Sequence, residues 1–133
     1  MANQIINTVN APAPIGPYNQ AIKAGNLLFI SGQVALVPGS DNMITANISD
    51  ETHQVMKNLQ AILAEAGLDF SNVVKTTIFL SDMSLFAAVN EIYGQYFGTE
   101  AAIKGTGYPA RETIAVKGLP KNANVEISMI ASI

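Results

Sequence analysis

The stretch ANVEISMIASI, residues 123–133, constrains the fold more tightly than any other part of the chain. It reads as a strand, and strand side chains alternate between faces. Val125, Ile127 and Met129 then share one face, and Glu126, Ser128 and Ile130 share the other. A carboxylate in the middle of so apolar a strand is costly unless it is exposed or paired. Glu126 is therefore either an exposed edge-strand glutamate or a group with work to do, as a general base or an anchor for water.

The rest of the chain supplies partners for that strand. NQIINTV (3–9) reads as a short strand. NAPAPIGPYNQA follows, a rigid loop shaped by Pro12, Pro14 and Pro17 around Gly16. IKAGNLLFISG reads as two strands joined at Ala24-Gly25-Asn26, a hairpin signal. Val55, Leu59, Ile62, Leu63 and Ala66 recur at helical spacing, with Ser49 or Asp50 available as cap and Gly67 where a terminating glycine belongs. Residues 72–80 form a β-branched strand, and a second helix runs from about residue 84 to 97. ETIAVKG is a strand and LPKN a turn. The order β, ββ, α, β, α, β, β predicts one α+β domain over 1–133, with both helices on one face of a mixed sheet. The other sheet face needs cover. Only 13% of residues are charged and 49% are apolar, where a charged share near one quarter is usual. The expectation is that this face packs on other copies of the chain.

The net charge of −3 and the scattered lysines argue against a nucleic-acid grip. The chain has no cysteine, which removes disulfides, thiolate metal sites and thiol nucleophiles. The start of the sequence lacks the basic and apolar regions of a signal peptide, and no apolar run nears the roughly 20 residues that span a bilayer. A cytoplasmic protein with no membrane partner is expected. One histidine makes zinc improbable, and no glycine-rich nucleotide fingerprint is present.

Among candidate site residues, Arg111 in GYPARETIAV comes first. A guanidinium stays charged and offers a planar fork that matches a carboxylate. It either receives a small anion or forms a structural bridge to Glu112, Glu126 or an acid of a neighbouring copy. Asn90 projects from a helix face shared with Phe86, Tyr93 and Phe97, and a buried amide there needs a partner. Tyr18 ends the proline loop, and Ser31 precedes Gly32 at a strand end, where a hydroxyl either lines a pocket or caps its own turn. His53 is expected in the first turn of its helix and in solvent, which leaves Ser31 without a base.

In this order and spacing, APAPIGPYNQAI, LLFISGQV, NLQAILAEAGLDFSNVVKTTIFLSDM, FAAVNEIYGQYF, YPAR and GLPKNANVEISMIA resemble the RidA (YjgF) family of reactive-intermediate deaminases over nearly the whole chain. The resemblance implies a fold like that of bacillus-type chorismate mutase, assembled as a homotrimer with ligand clefts between subunits. It implies hydrolysis of enamines and imines, 2-aminoacrylate and 2-aminocrotonate, to 2-oxo acids and ammonia, without a cofactor. These intermediates come from pyridoxal-phosphate-dependent serine and threonine dehydratases. Carried over by position, Arg111 grips the substrate carboxylate and Glu126 holds or activates water, while Tyr18, Ser31 and Asn90 line the cleft; Gly32 would let a ligand approach the backbone closely, and Thr113, where the pattern departs, still offers a hydroxyl and backbone groups. A trimeric binder or sensor of small carboxylates such as 2-oxobutyrate is the alternative, and a ribonuclease or translation inhibitor a more distant one. The chain departs from the pattern after the arginine, with Glu112-Thr113 where a small pair is usual. If Glu112 pointed toward Arg111 it would neutralise the fork.

Overall fold

In the computed structural model, residues 2–98 and 107–133 are described, and they form a six-stranded sheet with two α-helices. The strands are β1 (Gln4–Ile6), β2 (Ala21–Ala24), β3 (Leu27–Gln33), β4 (Val73–Leu80), β5 (Ala110–Ala115) and β6 (Val125–Ser132). Helix α1 spans Ile48–Glu65 and α2 spans Phe86–Gln95. The sheet order is β1-β2-β3-β6-β4-β5, so the apolar C-terminal strand sits near the centre. Every pairing is antiparallel except β4 with β5, which α2 connects as a crossover. The expected α+β class and mixed sheet are therefore present.

Period-two alternation decides where the core lies. Val125, Ile127, Met129 and Ala131 of β6 are buried, as are Leu28 and Ile30 of β3 and Ile78 and Leu80 of β4. They form one cluster with Val55, Met56, Leu59, Ile62 and Leu63 of α1 and Val89 and Tyr93 of α2. Each fully buried Val, Leu, Ile or Met side chain among them contributes about 1.5–3 kcal/mol. Both helices thus cover the same sheet face. The opposite face is open, and it leaves Phe29 42% and Ile114 48% exposed.

Local signals explain most boundaries, and some expectations shift. The β2–β3 hairpin turns at Gly25, whose φ of 59° suits the turns that match strand twist. α1 ends in a Schellman motif: Gly67 N–H reaches Ala64 O, Leu68 N–H reaches Leu63 O, and Gly67 takes φ 75°. Its cap is Asn47, not Ser49 or Asp50: the Asn47 side chain accepts from Asp50 N–H at 2.8 Å, which draws Ser49 and Asp50 into the first turn. Asn47→Ala should cost about 1 kcal/mol, read as a lower denaturation midpoint with an unchanged slope.

The second helix divides into a 3-10 turn, Met83–Leu85, started by Asp82, and α2 proper. β1 is shorter than 3–9 because Gln20 captures the chain beyond it. The buried Gln20 amide accepts from Thr8 N–H at 2.7 Å and donates to the carbonyls of Thr8, Ala11 and Pro12. That network fixes the proline loop. β5 begins at Ala110 rather than Glu112, which brings Arg111 into the strand. Among the described residues no helix is long and apolar enough to cross a membrane.

Candidate active site

Pro109 favours an extended residue before it, and β5 starts directly after it. Arg111 pairs in register with Thr76 of β4, and Thr113 with Ile78, so both lie on the helix-covered face. There the Arg111 guanidinium lies over two rings of α2, 5.1 Å from the Tyr93 centroid and 5.7 Å from that of Phe86. The Tyr93 hydroxyl donates to Thr76 Oγ1 at 2.9 Å. Burial raises the Tyr93 phenol above its ordinary range, against smaller lowering effects of the Thr76 bond and the Arg111 charge.

Glu112 points the other way. It pairs with Lys75 at 2.9 Å and accepts from the Thr77 hydroxyl, both on the open sheet face. The Thr77 bond, followed by Lys75, holds its carboxyl below the ordinary range. Arg111 therefore keeps its charge, and among the described residues it forms no salt bridge. A cavity of about 310 Å³ opens beside it, lined by Asn90, Tyr93, Gly94, Tyr108, Pro109 and Arg111. The Thr113 hydroxyl is buried with no hydrogen-bond partner among the described residues.

A second group forms elsewhere. Glu126 pairs with Phe79 of β4, three positions beyond Thr76, with no register shift between them. An odd separation along a regular strand means opposite faces. Glu126 therefore lies on the open face, and one copy of the chain does not bring it to Arg111. Burial raises its carboxyl above an ordinary glutamate's 4.5. It lies against Gly32 at the β3 bulge, where an added Cβ would stand 2.6 Å from Glu126 Oε2 and 2.9 Å from Cδ. The close neighbour of Gly32 is thus a side chain of the same protein.

Ser31 donates to the Asn19 carbonyl at 2.7 Å and so ties β3 to the proline loop. The Tyr18 hydroxyl accepts from Ile15 N–H at 3.2 Å, which folds the ring back on its own loop. Tyr18 and Gly32 share the wall of a narrow cavity of about 30 Å³ beneath that loop. Gly32→Ala is expected to rotate the Glu126 carboxylate away rather than unfold the sheet. The measurement is a circular-dichroism melt close to wild type alongside a displaced Glu126 carboxyl ¹³C signal.

His53 is not in solvent. It sits in the second turn of α1, half-buried, with Nδ1 2.7 Å from the Tyr96 hydroxyl. Sequence reasoning also passed over Glu51, which is fully buried. Its carboxylate accepts from Asn124 N–H at 2.7 Å, Asn124 Nδ2 at 2.9 Å and Val125 N–H at 3.3 Å, fixing the start of the strand that carries Glu126. A signal existed: Glu51 lies four residues before Val55, on the apolar stripe of α1.

Known proteins resemble this chain throughout. The family model described as Endoribonuclease L-PSP matches residues 8–133. The 2-iminobutanoate/2-iminopropanoate deaminase of Mus musculus is 46% identical over 128 residues, 96% of this chain and 90% of the mouse protein. The Homo sapiens protein of the same name is 40% identical over 131 residues, 98% of this chain and 90% of its own. The crystal structure of E. coli TdcF with bound serine superposes with a TM-score of 0.88 at 35% identity, covering 98% of each chain.

Proposed function

The chain belongs to the Endoribonuclease L-PSP family, also called YjgF or RidA, and from that premise we propose that it hydrolyses 2-imino acids to 2-oxo acids and ammonia. The observation that carries the reading is Arg111 beside a cavity with no acidic partner among the described residues, two positions before the buried Thr113 hydroxyl on the same strand face. A small carboxylate in that cavity suits the guanidinium fork. The names of the mouse and human relatives supply the reaction class.

The open sheet face and the separation of Arg111 from Glu126 support an assembly in which Arg111, Asn90 and Thr113 of one copy meet Glu126, Gly32, Ser31 and Tyr18 of another. The homotrimer of the family is the assembly we infer.

The chemistry asks little of such a site. The iminium carbon is already electrophilic. Arg111 holds the carboxylate bidentately and makes the encounter effectively intramolecular. Water adds to the carbon as Glu126 takes one of its protons, giving a carbinolamine. Glu126 returns that proton to the nitrogen and takes the hydroxyl proton as the C–N bond breaks and the C=O bond forms, and this second proton leaves on the released ammonia. The iminium, its carboxylate and one water thus become the 2-oxo acid and an ammonium ion. Burial raises the basicity of Glu126, which suits this transfer.

The test couples the protein to a threonine dehydratase and follows 2-oxobutyrate against spontaneous hydrolysis. Acceleration by the wild-type protein supports the reading, and a trace that matches the uncatalysed rate overturns it.

A further inference from the structure

Arg111 is the only arginine in the chain, and among the described residues what holds it is aromatic rather than acidic. Phe86 and Tyr93 are seven residues apart on α2, two turns along one helix face, with Asn90 between them. That face presents ring, amide and ring toward β5. The Tyr93 ring is buried, and its hydroxyl is fixed to Thr76, the register partner of Arg111 itself. One strand position therefore braces both the cation and the ring beneath it. A carboxylate partner would occupy the guanidinium donors. A ring face attracts the cation through its quadrupole and leaves all five N–H groups unused.

We propose that Tyr93 and Phe86 are positioning residues: they hold the Arg111 guanidinium in place with its charge intact and its fork turned to the cavity. What the fork receives rests on the deaminase reading above; the clamp rests on the geometry. A side chain ordered in advance need not be ordered by the ligand, so the clamp acts on affinity more than on the chemical step.

A single arginine gives a single Nε–Hε correlation in a ¹H–¹⁵N spectrum, and rings stacked on it displace that signal upfield. The test compares wild type with Phe86→Leu, Tyr93→Leu and Tyr93→Phe. Phe86 is 38% exposed, so its leucine variant keeps the fold even if Tyr93→Leu does not. The displaced signal should persist in wild type and Tyr93→Phe and move toward the free-arginine position in both leucine variants. In those two, KM should rise about three- to tenfold while kcat changes by less than about twofold. Tyr93→Phe should lower Tm, through the lost Thr76 bond, and raise KM by less than Tyr93→Leu does. A wild-type signal at the free-arginine position, an unchanged KM in Phe86→Leu, or a KM in Tyr93→Phe as high as in Tyr93→Leu overturns the clamp. A displaced signal in a wild-type protein without turnover overturns the deaminase reading and still supports the clamp.

Discussion

Arg111→Ala is expected to lower kcat/KM for 2-iminobutanoate by about 10²–10³-fold, because truncating one partner of a desolvated charge pair costs about 2–5 kcal/mol. The loss should fall mainly on KM, since the guanidinium binds a carboxylate that does not itself react. Arg111 contributes no salt bridge among the described residues, so the variant should melt close to wild type. Arg111→Lys should recover only part of the loss: an ammonium keeps the charge but lacks the fork. The measurements are steady-state kinetics in the dehydratase-coupled assay and calorimetric titration with 2-oxobutyrate. If alanine leaves both KM and the titration unchanged, Arg111 is not the carboxylate receptor.

Glu126→Gln should act differently. Removing a positioned general base costs about 10²–10⁴-fold, here in kcat, while 2-oxobutyrate binding through Arg111 persists. The pH dependence carries a sign. Glu126 works as its carboxylate, so kcat/KM should climb with pH through its folded-state pKa and level off above it. Burial sets that pKa above an ordinary glutamate's 4.5, so the acid limb should lie at higher pH than an exposed glutamate would give. The limb should vanish in Glu126→Gln. Carboxylate binding with no turnover in either form would favour the sensor reading, in which Glu126 has no chemical part.

Much of this was legible before any coordinates. The β-branched runs, the helical period of Val55 to Ala66 and the terminating Gly67 are local signals, and the elements they predict are present. The direction of Glu112 is left open by the sequence, and strand alternation in the fold turns it to the face opposite Thr113. The misplaced features have long-range causes. The Asn47 cap displaced two nearer candidates because only its side chain reaches Asp50 N–H. β1 stops early because Gln20, twelve residues along the chain from Thr8, takes the Thr8 backbone. His53 leaves solvent because Tyr96, forty-three residues on, meets its ring nitrogen.

The sequence by itself determined the periodicities, and with them the α+β class, the two faces of each strand and the residue types available for chemistry. Period and propensity are properties of neighbours along the chain, so they survive without tertiary information. Register is different. Arg111 and Glu126 are parted by the pairing of β5 and β6 with the same strand, β4, at positions three apart. No local pattern encodes that offset. Nor does any local pattern say that Lys75 and Thr77 occupy Glu112 while Tyr93 and Phe86 face Arg111. Those pairings arise only when a parallel strand and its crossover helix close over one another, and they leave the arginine charged at the edge of a cavity.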